Sequence, residues 1–232
     1  MKIIAHIRSD FDTKFGVPRQ SGLVSSALAA IVFEPEYRNP DALRGLDGFS
    51  HLGLIWQFSK TVREDWSPTV RPPRLGGNTR MGVFATRSPF RPNAIGLSCV
   101  ESDRLENDPA LGPVIWVRGA DLMNGTPIFD IKPYIPYADS YPDAKGGFAF
   151  GPGEDTVQVE CPEALLSLLP QEKRQTLVDV LAQDPRPGYQ RTDGRRYGIS
   201  FAGFDVRFTV DGGVLHVHEI EKNEPKNTLP IY

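Results

Sequence analysis

The segment 82–98 contains two prolines, two arginines and an asparagine within a short stretch of chain. Each proline fixes its own φ at about −65° and pushes the preceding residue toward extended geometry, which predicts a stiff, irregular loop. Arg87 and Arg91 can each present a planar set of donors to a carboxylate or phosphate, and Asn93 offers a donor and an acceptor. The loop is therefore a candidate site for a polar ligand. The alternative is a surface turn whose arginines pair with neighbouring acids.

Charge is distributed unevenly along the chain. The whole sequence has a formal net charge of −3, so it lacks the overall positive charge typical of nucleic-acid binding proteins. Between Lys60 and Arg91, however, seven basic residues stand against two acidic ones. Two interpretations fit this local excess equally well: attraction of a polyanion, or a solvated arginine-rich face.

Three further segments combine turn residues with polar side chains. The segment 15–22 is a glycine-flanked loop, the segment 48–52 contains a histidine, and the segment 121–134 contains a tight Asn124-Gly125 turn before a strand. A simple strand connection explains the first segment equally well, and a hairpin explains Asn124 and Gly125. A hairpin does not explain the polar residues that follow, which are Asp130, Lys132, Tyr134 and Asp139.

Several catalytic and cofactor motifs are missing from the sequence. It contains no GxGxxG or GxxxxGK[ST] element for a nucleotide, no HExxH element for zinc and no GxSxG nucleophile. His216 and His218 would share one face of a strand, but two such residues without a third ligand are more often ordinary strand residues. No metal site is predicted.

Short runs of apolar residues, separated by Gly, Pro, Asn and Asp, predict strands in the first part of the chain. These runs lie at 3–7, 28–33, 52–58, 95–100, 114–117 and 128–131. A helical turn is predicted at 40–44, where Asn39 can cap and Pro40 occupies the first position. With so little helix for crossover connections, a mostly antiparallel β-barrel is favoured over a parallel, doubly wound sheet.

The second part of the chain has a different pattern. Residues 141–153 are rich in chain breakers, so we place a linker at 141–156 between a barrel domain at 1–140 and a smaller domain at 157–232. Leucines at helical spacing then predict two helices, and a turn at Asp211-Gly212-Gly213 predicts a hairpin. The helices are predicted at 162–169 and 170–181, and the hairpin strands at 206–210 and 214–217. The expected fold class is mainly β, with a small α+β C-terminal domain.

The cysteines and the hydropathy pattern indicate the cellular compartment of the protein. Cys99 and Cys161 have no CxxC partner, which suits a reducing cytosol. The sequence has no apolar run of about 18 residues, so neither a membrane span nor a secretory leader is predicted. A cytoplasmic protein with no membrane partner is expected.

Five strings, in order along the chain, closely resemble the TrmO (TsaA-like) family of S-adenosylmethionine-dependent tRNA methyltransferases. They are VPRQSG, GFSHL, RPPRLGG, GVFATRSPFRPNAIGLS and NGTPIFDIKPYIPYADS, and the resemblance covers about residues 3–140. The later DPRPGY at 184–189 is similar to the DPRPxY element of the bacterial members' C-terminal domain. The resemblance implies a homodimeric β-barrel methyltransferase with S-adenosylmethionine as cofactor. It would N6-methylate threonylcarbamoyladenosine at position 37 of threonine tRNA.

The resemblance also implies which residues contact the cofactor. These are Pro18, Arg19, Gln20, His51, Leu52, Arg87, Leu97, Asn124, Gly125, Thr126 and Pro127. The commoner DGTP of the family is NGTP here, and Asn124 lacks the carboxylate that would prefer a cationic or hydroxyl partner.

Roles toward the acceptor and the tRNA follow as hypotheses. Asn93 or Asp139 would accept the hydrogen on the adenine N6 and so raise its nucleophilicity. Contacts with tRNA phosphate are predicted for Arg71, Arg74, Arg91 and Lys132, and a role in tRNA recognition for Arg186 and Tyr189 in the C-terminal domain. Two alternatives stay open: a non-catalytic RNA-binding module, and a methyltransferase that acts on a different RNA or on a small molecule.

Overall fold

The computed structural model describes residues 1–60, 65–149, 156–186 and 192–223, and strands dominate these parts of the chain. The strands are β1 (Ala5–Arg8), β2 (Leu28–Phe33), β3 (His51–Gln57), β4 (Thr69–Val70), β5 (Met81–Gly82), β6 (Ile95–Asp108), β7 (Gly112–Arg118), β8 (Pro127–Pro133), β9 (Gln158–Glu160), β10 (Tyr197–Phe201), β11 (Phe204–Asp211) and β12 (Val214–Lys222). The α-helices are α1 (Pro136–Asp139), α2 (Glu163–Leu166) and α3 (Gln171–Ala182). The prediction of a mainly β fold with little helix is confirmed.

Six strands of the first part pair in a closed barrel, in the order β1-β2-β7-β6-β3-β8. The ring closes because β1 pairs with β8 as well as with β2, and all its pairings are antiparallel. Strand β3 shows how the sequence specifies the inside: Leu52, Leu54 and Trp56 alternate inward and are buried, while the residues between them are more exposed. All six strands of this ring were predicted from their apolar runs.

Strand β6 is much longer than its apolar run predicts, because the sequence from Glu101 onward is polar. Its second half pairs with β7, and a register shift lies between Ser102 and Arg104. Cross-strand contacts stabilise this extension: the Arg104 guanidinium stacks 4.5 Å over the Trp116 ring, and the Trp116 indole donates to Glu106 at 2.7 Å. The second half of β6 is thus stabilised by charged and aromatic side chains, and the spacing of apolar residues does not predict it.

The second sheet has the order β10-β11-β12-β9, with β9 parallel to β12. The predicted hairpin is confirmed, since Asp211 pairs with Val214 around two glycines with positive φ. Helix α3 agrees closely with the prediction for 170–181, whereas α2 is only one turn long where 162–169 was predicted. The predicted turn at 40–44 is a 3-10 helix at Pro40–Leu43, capped by the Asn39 side chain as expected.

The connection between β1 and β2, which we call the 9–27 loop, packs into the core of the second sheet. Phe11, Val24 and Ala27 are buried in one cluster with residues of β10, β11, β12 and α3. The Lys173 ammonium donates to the Asp10 carboxylate at 2.6 Å, and the amide of Ala202 donates to the Asp10 carbonyl at 2.8 Å. A segment from the first 30 residues is therefore held by the C-terminal part of the chain.

Candidate active site

A pair of glycines brings the 9–27 loop against the barrel. The amide of Gly22 donates to the carbonyl of Gly119 at 2.8 Å. Gly22 and Gly119 both have positive φ, and a Cβ on Gly119 would lie 3.1 Å from the Gly22 Cα. Only glycine fits at position 119 without displacing backbone, because both the φ angle and the space exclude a side chain. This contact fixes the position of the preceding residues, Arg19, Gln20 and Ser21.

The Gln20 and Arg87 side chains meet, although 67 residues separate them in sequence. An Arg87 terminal nitrogen donates to the Gln20 amide oxygen at 2.7 Å. Both side chains are exposed, and a guanidinium carries five N–H donors, so Arg87 retains donors for an anionic ligand. Two of the segments that the sequence analysis singled out therefore converge on one place.

Asp121 provides a partly buried carboxylate beside this contact. The Trp56 indole donates to the Ser98 hydroxyl at 3.0 Å, and that hydroxyl donates to Asp121 at 2.5 Å. Burial raises the pKa of the Asp121 carboxyl, while the Ser98 hydrogen bond, the Arg87 charge and a bond from the Ser21 amide oppose that rise. Sequence reasoning missed Asp121 as a site residue. Its position at the start of the polar segment 121–134 was the available signal.

The outward face of β6 lies next to the same loop. The Cys99 amide donates to the Ser21 hydroxyl at 3.3 Å. Burial, and then the charge of Asp139, raise the pKa of the Cys99 thiol, so Asp139 lies close to this face as well. Leu97 shares the face with Cys99, two residues away, and is 63% exposed. An apolar side chain, a carboxylate and the 9–27 loop thus border one surface.

The structure gives His51 and Leu52 different environments. His51 is exposed at the start of β3, where its ring lies edge-on to that of Tyr134 with 6.2 Å between centroids. Leu52 is fully buried in the barrel core, so its side chain cannot flank a ligand. Any contact of a bound cofactor with Leu52 has to be made through its backbone.

The turn at 124–127 lies against the first part of the 9–27 loop. The amide of Asn124 donates to the Phe11 carbonyl at 2.7 Å, and the amide of Gly125 donates to the Ile7 carbonyl at 2.8 Å. Gly125 has a φ of 76°, as a tight turn at this position requires. The turn does not join a hairpin, because β7 pairs with β2 and β6 whereas β8 pairs with β1 and β3. Thr126 immediately precedes β8, Pro127 begins it, and both residues are buried.

The Asn124 side chain is used in this same loop contact. Its amide nitrogen donates to the Asp12 carboxylate at 3.0 Å, and its oxygen accepts from the Ser9 amide at 3.3 Å. The asparagine that replaces the family's aspartate therefore donates to an acid, which an ionised aspartate could not do.

The loop at 83–93 presents an exposed aromatic ring and an arginine, and the exposed ring of Trp66 lies against it. Phe84 and Trp66 stack with 6.1 Å between ring centroids, and the Arg91 guanidinium lies 5.9 Å from the Phe84 centroid. Arg91 also donates to the carbonyls of Thr86 and Ser88, at 2.9 and 3.2 Å. Sequence reasoning did not predict the aromatic pair, because the chain between the two rings gives no periodic signal.

The remaining predicted residues lie in different places. Asn93 is exposed just before β6, and Asp139 is exposed in α1, where its carboxylate accepts from the Ile135 amide at 2.7 Å. Arg71 and Lys132 are also exposed, and Lys132 pairs with Asp130 at 3.0 Å. The Arg74 side chain and Tyr189 lie outside the described part of the structure.

Arg186 is buried, which does not suit the predicted direct contact with tRNA. It is 7% exposed, and its guanidinium donates to both carboxylate oxygens of Asp184 at 2.8 and 2.9 Å. The two side chains form a buried ion pair that stabilises the folded protein.

The histidines noted in the sequence have separate partners. His216 lies 2.9 Å from the Glu160 carboxylate, and His218 lies 2.9 Å from the Thr209 hydroxyl. Among the described residues, no group of three or more His, Cys, Asp or Glu side chains could hold a metal ion. The helices in those same residues are all too short or too polar to cross a membrane.

Comparison with known proteins adds to this geometry. Residues 6–140 match the family described as the tRNA-methyltransferase O N-terminal domain, and residues 154–223 match the TrmO C-terminal domain. The chain is 43% identical over 228 residues to the tRNA (adenine(37)-N6)-methyltransferase of Escherichia coli strain K12, which covers 94% of this chain and 96% of that protein. It is 42% identical over 172 residues to the protein of the same name from Eikenella corrodens, with 74% of this chain and 97% of that one covered.

A solved structure is also similar. The crystal structure of TrmO from Pseudomonas aeruginosa superimposes with a TM-score of 0.77 at 33% identity, over 94% of this chain and 96% of that one. The similarity therefore extends over the barrel and the second sheet together.

Proposed function

We propose, from the premise that this chain belongs to the TrmO family of tRNA methyltransferases, that it methylates N6 of adenosine 37 in tRNA. S-adenosylmethionine is the methyl donor, and the acceptor is N6-threonylcarbamoyladenosine in threonine tRNA. The observation that supports this most directly is the meeting of Gln20 and Arg87 at 2.7 Å beside Asp121 and the exposed Leu97.

The residues at this place fit the chemical groups of S-adenosylmethionine. Arg87 is exposed and has guanidinium donors for the carboxylate of the donor's amino-acid part. Leu97 offers exposed apolar surface for the adenine, and the neighbouring backbone of the 9–27 loop offers polar groups for the ribose. The Asp121 carboxylate is close enough to respond to the Arg87 charge, and it holds the Ser21 amide in place.

The reaction asks the protein chiefly to align two reactants. S-adenosylmethionine supplies a methyl group on a sulfonium: the C–S bond breaks as a C–N6 bond forms, and the N6 proton is lost. Holding the two reacting atoms about 3 Å apart in line removes most of the entropic cost of their encounter. Asn93 and Asp139 are our proposed acceptors of the N6 hydrogen, because both are exposed on segments next to the outward face of β6.

We assign tRNA binding to the surface that carries the 83–93 loop. Trp66 and Phe84 are 48% and 72% exposed, and stacked exposed rings of this kind suit unpaired bases of an anticodon loop. Basic residues of the same region supply the charge for phosphate, with Arg71, Arg74, Arg80 and Arg91 against the single acid Asp65 in 65–93. Lys132, with Tyr189 in the C-terminal part, completes the proposed contacts.

The remaining parts of the proposal concern the whole protein. The barrel at 1–140 binds the methyl donor, the linker spans 141–156, and the domain at 157–232 contributes to tRNA recognition. The working form is a homodimer in the cytoplasm. Light scattering of the purified protein tests the dimer directly.

A methylation assay tests the function itself. Purified protein is incubated with S-adenosylmethionine and threonine tRNA that either carries or lacks the threonylcarbamoyl group, and nucleosides are analysed by mass spectrometry. We expect a mass gain of one methyl group on the modified nucleoside only. Inactivity on both tRNAs, with folded protein that binds tRNA but not S-adenosylmethionine, would instead support a non-catalytic RNA-binding module.

A further inference from the structure

The C-terminal part of the chain holds the segment that carries Arg19 and Gln20. An Arg19 terminal nitrogen donates to the backbone carbonyl of Asp184 at 3.1 Å, across 165 residues of sequence. The same nitrogen lies 3.5 Å from the carbonyl of Arg186. These carbonyls belong to the DPRP element, and Gln20 is the next residue along the chain from Arg19 and the partner of Arg87.

Within the DPRP element, Asp184 and Arg186 are joined by several hydrogen bonds. Asp184 is 2% exposed and has a φ of 45°, a left-handed geometry that is uncommon for a residue with a side chain. Its carboxylate accepts from two nitrogens of the Arg186 guanidinium, at 2.8 and 2.9 Å, and from the Arg186 amide at 3.3 Å. This buried, two-point ion pair fixes the direction of the Asp184 carbonyl toward Arg19.

We propose that the Asp184–Arg186 ion pair positions Arg19 and Gln20, and through Gln20 the Arg87 guanidinium, for binding of the methyl donor. The inference rests on the proposed function, and it gives the C-terminal domain a role in cofactor affinity in addition to tRNA recognition. Arg186 is a positioning residue here and touches neither reactant. Its burial separates this role from a direct phosphate contact, which requires an accessible guanidinium.

Titration calorimetry with S-adenosylmethionine measures the effect. Arg19→Ala removes the bond to the DPRP carbonyls and leaves the buried pair intact, so we expect about a tenfold rise in the Kd for S-adenosylmethionine. Affinity for tRNA without cofactor should change by less than about twofold. Arg186→Lys keeps the charge but cannot donate at two points, and it should shift the same Kd in the same direction. The control is Arg207→Ala, because Arg207 forms an exposed pair with Glu219 on the same domain.

A double variant shows whether the two arginines act through one contact. If they do, Arg19→Ala combined with Arg186→Lys raises the Kd no further than the larger single change. Additive effects, or a loss confined to tRNA affinity, would overturn the proposal. So would an unchanged cofactor Kd in Arg19→Ala.

Hydrogen exchange gives a readout that needs no ligand. The amides of Ser21 and Gly22 are hydrogen-bonded to Asp121 and Gly119, and loosening of Arg19 should speed their exchange severalfold in both variants but not in the control. If the unsubstituted protein binds no S-adenosylmethionine, the proposed function fails. The coupling between the DPRP element and the loop is then still decided by these exchange rates, and unchanged rates refute it.

Discussion

The two loops that meet at the candidate site are held in opposite ways. The 83–93 loop stabilises itself with bonds of short range: Thr86 donates to the Val83 carbonyl at 2.8 Å, and Arg91 donates to the Thr86 carbonyl at 2.9 Å. The 9–27 loop depends on remote partners, among them Gly119 and Asp184. One loop therefore has a conformation set by its own sequence, whereas the other takes its conformation from both sheets. Substitutions far from the site should therefore change the conformation of the 9–27 loop and leave that of the 83–93 loop unchanged.

The largest effect should follow from filling the space between Gly119 and Gly22. Gly119→Ala places a Cβ 3.1 Å from the Gly22 Cα, at a φ of 71°. The left-handed geometry costs about 1–2 kcal/mol, and the overlap adds about 1–3 kcal/mol. We expect the free energy of unfolding in urea to fall by about 2–5 kcal/mol, with weaker binding of S-adenosylmethionine.

The matched control for this change is Gly45→Ala. Gly45 has a φ of 85°, and a Cβ added there would have no atom within 4 Å, so only the backbone cost of about 1–2 kcal/mol applies. Equal losses in the two variants would show that the contact between the loop and the barrel is not tight.

The next effect concerns the bond that joins the two loops. Arg87→Ala removes the bond to Gln20 and the proposed partner of the cofactor carboxylate, interactions worth about 1.5–3 kcal/mol when one partner is charged. Titration calorimetry should show the Kd for S-adenosylmethionine rising about 10- to 100-fold. The melting temperature should stay almost unchanged, because Arg87 is exposed. Arg80→Ala, an exposed arginine of the same region, is the control, and equal Kd values for both variants would contradict the assignment.

A smaller effect is expected from Phe84, which lies on the 83–93 loop and stacks on Trp66. Phe84→Ala removes a ring that is 72% exposed and stacked on Trp66, so it should weaken tRNA binding by about 1–3 kcal/mol. Filter binding with threonine tRNA measures this loss, while calorimetry should find the cofactor Kd unchanged. Tyr141→Ala changes another highly exposed ring outside the two loops and serves as the control. A Phe84 variant that binds tRNA normally would remove the aromatic surface from the proposal.

The smallest effect is a pH dependence from Asp121. Since burial raises its pKa, the folded state binds more protons than the unfolded state from about pH 3.9 up to the raised folded pKa. In that window the contribution of Asp121 to stability falls as the pH rises, and above it the full penalty for burying the charge remains. Asp121→Asn has no such dependence. The stability of the unsubstituted protein relative to this variant, measured by urea unfolding, should therefore decline as the pH rises above about 4.

The opposite trend, or no trend, would contradict the burial of the Asp121 charge. Asp179→Asn is the comparison, because Asp179 is a carboxylate on α3 that accepts from Gln175 and from Ser26 at the far end of the 9–27 loop.

Local patterns predicted much of this molecule, and contacts of long range account for the rest. The barrel strands follow from alternating apolar residues such as Leu52 and Leu54, and the Asn39 cap follows from adjacent residue types. The Gly125 turn was predicted correctly, but its partners at residues 7 and 11 were not, because no local signal names them. The hairpin interpretation of that turn was wrong for the same reason.

The candidate site shows the same limit. Family motifs indicated Gln20 and Arg87, and the structure brings these two together. They did not indicate Asp121. Its carboxylate joins the two regions because it accepts from a hydroxyl on β6 and from an amide in the 9–27 loop. Leu52 was expected beside the cofactor, yet strand alternation directs its side chain into the core, where it is fully buried.

The burial of Phe11 against Phe201, with 6.0 Å between their ring centroids, has a consequence for synthesis of the chain. Residues 5–133 supply every strand of the barrel, so the barrel can close while the ribosome is still adding the C-terminal residues. The 9–27 loop, by contrast, lacks the part of its packing surface that β10 and β11 supply until these strands have emerged. A nascent chain therefore completes its barrel strands early and packs the 9–27 loop fully only near the end of translation.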